Sequence, residues 1–311
     1  MSGVTHALVL CAGLGTRLHP LTLVRSKPAV PIGGEPLARR ILAWLAGEGL
    51  TDAVVNLHHL PHTLARVLGD GSDLGIRVRY SWEQPRVLGS AGGPRQALDI
   101  VGVRRFLAVN GDVLTDPSLP DLERAHDASG ALATLALVPN DRPEHYSGLL
   151  LADDGAIVGH VPKGSVTPSY HFTGVQIVER EVFEGVPPGA FASSVGDVYS
   201  RWIESRPGSI RAHVCEARFW DVGTPSDYWR TSRALAGSVG SPSGDFEMAA
   251  SARVDDCIIW DRVRIGDGSR VHGCIVTDDV QVAPGSAYER AILIRGDDGG
   301  TVAVPFSPES N

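Results

Sequence analysis

Lysine is nearly missing from this chain of 311 residues: of 28 Lys and Arg, only those at positions 27 and 163 are Lys. A genome rich in G and C favours Arg codons, which accounts for the shortage but not for where the two survivors sit. Arg is a planar fork and Lys a compact point charge on a flexible stem, and they exchange freely only on a solvated surface. Lys27 and Lys163 are therefore candidates for positions where a fork does not fit.

Other shortages exclude whole classes of function. There is no run of about 18 apolar residues, so no helical membrane span is expected. Basic charge is not in excess: the net charge of −8 argues against a nucleic-acid binder. A small anionic substrate remains open, because a few local cations suffice. The N-terminus has no charged leader region and no cleavage site. Its short apolar run, Ala7 to Ala12, leads straight into glycines and reads as a strand. The four cysteines, at 11, 215, 257 and 274, show no CxxC spacing, so reduced thiols in a cytoplasmic protein are expected.

The pattern that is present is alternating. Strands are expected at 5–12, 52–57, 76–82 and 106–110. Helical patterns separate them, at 36–47 with Pro36 in the first turn and at 117–128. Strands then dominate (131–138, 148–152, 156–161, 172–178, 209–215), with helices near 193–205 and 225–236. This order implies an α/β fold: a Rossmann-like, mostly parallel mixed sheet with helices on both faces. A first domain spans 1–236, and a linker covers 237–250, beginning GSVGSPSG. Beyond it, CIIWDRVRIGDGSRVHG (257–273) lies over CIVTDDVQVAPGSAYER (274–290) at an offset of 17 without a gap. Stacked coils of three short strands take about this length. About two coils over 251–294, resembling the hexapeptide-repeat left-handed β-helix, are expected, with Cys257 and Cys274 stacked as buried thiols. The remainder, 295–311, reads as a loosely ordered tail.

The chemistry concentrates in LCAGLGTRLHPLTLVRSKP (10–28). Glycine turns after a strand expose backbone N–H groups that can cradle phosphate oxygens. This is not a Walker loop, since no Lys follows the last Gly. The sequence Gly13-x-Gly15-Thr16-Arg17-Leu18-x-Pro20-Leu21-Thr22, then Lys27-Pro28, resembles the signature of the sugar-1-phosphate nucleotidyltransferases, and the resemblance runs over about 5–236. VLGSAGGPRQAL (87–98) is similar to the family's nucleotide loop, with Ser90 in place of Thr. VNGDVLTD (109–116), HFTGVQIV (171–178) and FWDVGTPSDY (219–228) resemble three further motifs in the family's order.

The resemblance implies transfer of a nucleotidyl group from an NTP to a sugar 1-phosphate, releasing pyrophosphate. It implies nucleotide contacts at Leu10, Ala12, Gly13, Gly15, Thr16, Arg17, Gly89 and Ser90. Glu83 and Gln84, at the end of the third strand, are candidates to read the base edge. Sugar contacts are implied at Gly111, Gly148, Lys163, Thr173 and Gly174, and Mg²⁺ ligands at Asp112 and Asp221. Such chemistry is mostly positioning and charge neutralisation. Mg²⁺ takes one or two carboxylates plus phosphate oxygens, and Arg17 can clamp phosphates bidentately. Lys27 would sit beside the α-phosphate and Lys163 would steer the incoming phosphate, which answers why these two lysines persist. One departure matters: Pro162 stands where the family has Glu before this Lys, and no Pro follows, which leaves the sugar open.

EQPRVLGSAGG and the repeat tail look most like mannose-1-phosphate guanylyltransferases, so GTP and mannose 1-phosphate are the expected pair. Uridylyl-, thymidylyl- and heptose-specific relatives, and a non-catalytic nucleotide-sugar sensor, are the alternatives. An acyltransferase is disfavoured because two coils are too few to build an acyl-donor groove. The repeat reads as a packing or self-association element. NLHHLPHT offers His58, His59 and His62, and a His pair at i, i+4 can bind zinc on a helix, but Pro61 interrupts a helix there and no third ligand is near, so the stretch reads as a strand-to-helix connection.

Overall fold

The computed structural model describes residues 3–236 and 245–307. The chain forms two compact units, one of Met1–Gly13, Ile41–His59 and Leu68–Trp220, the other of Leu14–Arg40, Leu60–Val67 and Asp221–Asn311.

The first unit is built on a nine-stranded sheet. Its elements in chain order are β1 (His6–Leu10), α1 (Leu37–Gly47), β2 (Asp52–Leu57), β3 (Arg77–Trp82), α2 (Gly89–Val101), β4 (Arg105–Asn110), α3 (Leu119–Ser129), β5 (Ala133–Pro139), β6 (Gly148–Leu151), β7 (Ile157–Val161), β8 (Tyr170–Glu179) and β9 (Ile210–Val214). The α1 helix enters this unit from the other. The strand order is β7-β6-β8-β4-β1-β2-β3, with β5 beside β8 and β9 beside β5. The β4-β1-β2-β3 set is parallel, and β8 runs antiparallel to β4. Strands covered on both faces read as continuous apolar runs, and β2 (DAVVNL) is buried along its whole length. The α2 helix packs on β1, β2 and β3, and α3 packs on β5, β8 and β9. Leu8, Val54, Phe106, Leu135, Val178 and Phe183 centre the core. The β8 strand takes five residues, Phe172 to Gln176, where β5 takes three, Leu137 to Leu135. That bulge re-aims Thr173 and Gly174.

Pro36 does not start the helix as expected. It closes a hairpin of Pro31–Ile32 and Glu35–Pro36 in the second unit, across a Gly33-Gly34 turn in which both φ angles are positive, and the helix begins at Leu37. Pro61 likewise opens the helix Pro61–Leu68 instead of interrupting it; the missing N–H of proline costs nothing in a first turn.

The second unit carries the repeat. Three parallel sheets stack with the offset of 17: Phe246 on Val263, Arg253 on Arg270 on Ala287, and Ile258 on Ile275 on Ile292. These stacked parallel strands are compatible with a β-helix of nearly three coils, starting earlier in the chain than the sequence suggested. The first coil, from Phe246, was hidden because it matches the others only at Arg253-Val254. Ile259, Val263, Val271, Cys274, Val276 and Leu293 fill the coil interior. Corners repeat as well: Asp256, Gly273 and Arg290, each 17 apart, all take positive φ. Cys257 and Cys274 stack on adjacent coils as free thiols, Cys274 buried and Cys257 half-buried.

The expected loose tail is corrected over its described part. Ala291–Arg295 and Thr301–Pro305 form an antiparallel hairpin. The β-branched run of 301–304 and the Asp-Asp-Gly-Gly turn before it favour this pairing. Residues 237–244 of the expected linker lie outside the described residues. Among the described residues no helix is long and apolar enough to cross a membrane.

Candidate active site

In the first unit the chain leaves β1 toward β2 on one side, and β4 flanks β1 on the other. The carboxyl ends of β1 and β4 thus form a topological switch point, where open α/β sheets bind ligands. Leu10 lies opposite Asn110 there. The Gly111 N–H donates to the Leu10 carbonyl at 2.9 Å. A Cβ at 111 would overlap the Cys11 sulfur and stand 2.8 Å from the Leu10 carbonyl oxygen, so only glycine lets the two strand ends approach this closely. Asp112 follows directly. Burial, together with the neighbouring Asp112 carboxylate, pushes the Cys11 thiol pKa up, so Cys11 packs as a neutral group.

Behind this edge lies a buried polar brace. The Cys11 N–H donates to Asn56 Oδ1 (2.5 Å), and Asn56 Nδ2 donates to Glu83 Oε1 (2.6 Å). Glu83 Oε2 accepts from the Leu88 N–H at 2.7 Å, just before α2. Glu83 is 1% exposed, and burial raises its pKa against those two hydrogen bonds. Both carboxyl oxygens are therefore engaged inside the fold, where Glu83 braces the strand ends. Gln84 beside it is exposed. Asn56 was missed in the sequence. Its signal was a lone amide after the apolar run 53–55, next to the end of the strand.

Gly89 begins α2, and Ser90 Oγ accepts from the Ser194 N–H at 2.8 Å. Thr173 is fully buried and donates from Oγ1 to the Ala136 carbonyl at 2.9 Å. Gly174, with φ +88, faces Asn110 of β4. Gly148 starts β6 opposite Val161 at the end of β7. Lys163 is exposed in the turn just beyond, which is tied back by the Gly164 N–H to the Pro143 carbonyl at 2.7 Å. The sheet register thus brings Gly148 and the Lys163 turn to one end of the β6–β7 hairpin, and Gly174 to the end of β4. Nearby, His171 packs between Tyr146 (ring centroids 4.3 Å apart) and Phe219 (4.7 Å).

The second unit holds the other candidates. Gly13, exposed at the end of the first unit, leads into them. Gly15 has φ +65, and a Cβ there would meet Thr22 Cγ2 at 2.9 Å and Lys27 Cβ at 3.2 Å. Thr22 Oγ1 donates to the Gly15 carbonyl at 2.9 Å. The turn is therefore folded onto the Lys27 stem, and Lys27 is 6% exposed. Thr16 and Arg17 are exposed, in a short 3-10 turn. A Cβ at Gly223 would lie 3.0 and 3.2 Å from the two Asp221 carboxylate oxygens and 3.4 Å from an Arg17 guanidinium nitrogen. Arg17 and Asp221 thus gather around one buried glycine. Among the described residues no group of three or more His, Cys, Asp or Glu could hold a metal ion by itself.

Within the first unit, a strand-end switch point with an acidic residue directly after its glycine is the arrangement at which open α/β sheets bind ligands. The family model for nucleotidyl transferases matches residues 6–238. A mannose-1-phosphate guanylyltransferase of Mycobacterium tuberculosis is 30% identical over 240 residues, covering 76% of this chain and 66% of that protein. An N-acetylmuramate alpha-1-phosphate uridylyltransferase of Neisseria meningitidis is 33% identical over 237 residues, covering 75% of this chain and 98% of that protein. Among solved structures, HddC from Yersinia pseudotuberculosis superposes with a TM-score of 0.64 at 23% identity, covering 75% of this chain and all of that one. The chain belongs to the nucleotidyl transferase family, as its motifs indicated.

Proposed function

We propose that the enzyme joins an NTP to a sugar 1-phosphate with release of pyrophosphate, and that GTP and mannose 1-phosphate are its pair. The observation that carries this reading is the β1–β4 switch point, where Asp112 follows a glycine that brings two strand ends together. The mycobacterial relative's name supports the guanylyl choice. The neisserial relative supports a second reading, a uridylyl transfer to a different sugar 1-phosphate, and Pro162 in place of the family's Glu removes a usual sugar-hydroxyl acceptor and leaves the sugar open.

In this proposal a phosphate oxygen of the sugar 1-phosphate attacks the α-phosphorus in line, and the bond to pyrophosphate breaks. Arg17 clamps the β- and γ-phosphates, Lys27 neutralises the α-phosphate, and Lys163 steers the incoming phosphate. Asp112 and Asp221 fit Mg²⁺ in their chemistry: they are hard oxygen donors, few in number, leaving room for phosphate oxygens and water. When bound, the ion would neutralise charge on the phosphates. The test is pyrophosphate release with Mg²⁺ across ATP, CTP, GTP, UTP and dTTP crossed with a panel of sugar 1-phosphates. Strong turnover confined to GTP with mannose 1-phosphate supports the first reading. Turnover confined to UTP corrects the base while leaving the mechanism standing, and a blank panel with intact nucleotide binding favours the non-catalytic sensor.

A further inference from the structure

Arg25 lies two residues before Lys27 and is buried, at 7% exposed. It does not point at solvent or along its own loop. Nε donates to Asp278 Oδ2 at 2.7 Å, and one Nη donates to Asp278 Oδ1 at 2.6 Å and to Asp261 Oδ2 at 2.5 Å. Asp261 and Asp278 are the same position on adjacent coils of the β-helix, 17 residues apart, and the Asp261 N–H also donates to Asp278 Oδ1 at 3.1 Å. Two stacked carboxylates repel, and Asp278 is 9% exposed. Asp261 is half-exposed, but leaving the buried Asp278 charge uncompensated beside it is costly. Arg25 supplies the compensating fork. Its carbon centre also lies 5.2 Å from the Trp260 ring centroid.

A second tie holds the same loop on the other side of Lys27. Trp260 is fully buried and donates from Nε1 to the Tyr228 hydroxyl at 2.8 Å. That hydroxyl donates to the Pro31 carbonyl at 2.8 Å. The Ser26 N–H is held by Thr63 Oγ1 at 3.1 Å. Lys27 therefore sits on a short span fixed at Arg25, Ser26 and Pro31, with both end ties reaching the repeat.

We propose that the β-helix coils act as the fixed support that positions Lys27 for nucleotidyl transfer, with Arg25 and Asp278 as positioning residues. This goes beyond a packing or self-association role for the repeat, and it rests on the reading of Lys27 as a phosphate-contacting group. A misplacement of about 1 Å at a reacting group can cost on the order of a hundredfold in rate, so a support that does not itself touch the phosphates still registers in turnover.

The experiment is a double-mutant cycle on the full chain, in kcat and in KM for the NTP, with Lys27→Ala, Asp278→Asn, and both together. Arg25→Lys, alone and together with Lys27→Ala, runs in parallel as the milder variant, since it keeps the charge and loses the fork. Melting temperature and circular dichroism identify the folded variants, and the cycle is read on whichever support variant folds. A support variant should lose on the order of tenfold in kcat, and this loss should vanish in the Lys27→Ala background. A merely structural role would multiply the two losses. Wild-type kcat in folded Asp278→Asn and Arg25→Lys, or multiplicative losses, overturns the proposal. Wild-type kcat in Lys27→Ala instead overturns the Lys27 reading beneath it, so the two failures are distinguishable.

Discussion

His171→Phe should flatten the acid side of the stability profile. His171 lies between Tyr146 and Phe219, and neither ring nitrogen makes a well-formed hydrogen bond. Burial pushes its pKa down from 6.5 to about 4, opposed weakly by the Ser147 backbone. In the unfolded chain the ring takes a proton at the ordinary pKa, so between those values the unfolded state binds more protons. The stabilising contribution is complete above about pH 6.5 and is lost as pH falls toward about 4. From those two values the loss is about 2 kcal/mol by about pH 5 and about 3 kcal/mol by about pH 4. Phe fills the same aromatic slot with no titrating group, and it leaves no polar atom in a dry place. Near pH 7 the variant should match the parent to within about 1 kcal/mol. Urea unfolding of both proteins at about pH 7 and about pH 5 reads the difference. Burial also lowers His126 and His213, but these titrate in both proteins and cancel. Parallel pH dependences for parent and variant would refute the reasoning, and would mean that the folded protein hydrates or hydrogen-bonds the protonated ring.

Three other outcomes are expected. Asp112→Asn should cut kcat by a hundredfold or more, on the order of one lost charge-stabilising group, with an unchanged melting curve; near-normal turnover would remove Asp112 from the metal site. Gly111→Ala should destabilise the fold by about 2–3 kcal/mol, because the added methyl meets the Cys11 sulfur and the Leu10 carbonyl; an unshifted urea midpoint would show that the strand ends can part. Tyr228→Phe leaves the buried Trp260 Nε1–H and the Pro31 carbonyl without their partner, at about 2–3 kcal/mol, which calorimetry checks.

Much of the fold was legible because periodicity is local. β2 spans the expected Asp52–Leu57, and the offset of 17 read from Cys257 and Cys274 is the register the coils adopt. Where the fold departs from these local signals, the signals are ambiguous. Pro36 is equally at home in a first helical turn and at the end of a short strand, and only the Gly33-Gly34 hairpin decides between them. The tail after 295 looked weak because its hairpin partner, Ala291–Arg295, belongs to the last coil.

The sequence by itself determined the family, the strand–helix alternation and the coil repeat, since each is carried by residues close together or by a fixed spacing. It also singled out Lys27, because scarcity makes a lysine informative. Only the tertiary structure decided what Glu83 and Arg25 do. Each is a charged side chain whose partners come from distant positions: Asn56 for Glu83, and Asp261 and Asp278 for Arg25. A charged residue in a sequence carries no mark of whether it will face solvent, ligand or a buried counter-group. That is settled when packing removes water from around it and leaves it only the partners the fold brings near.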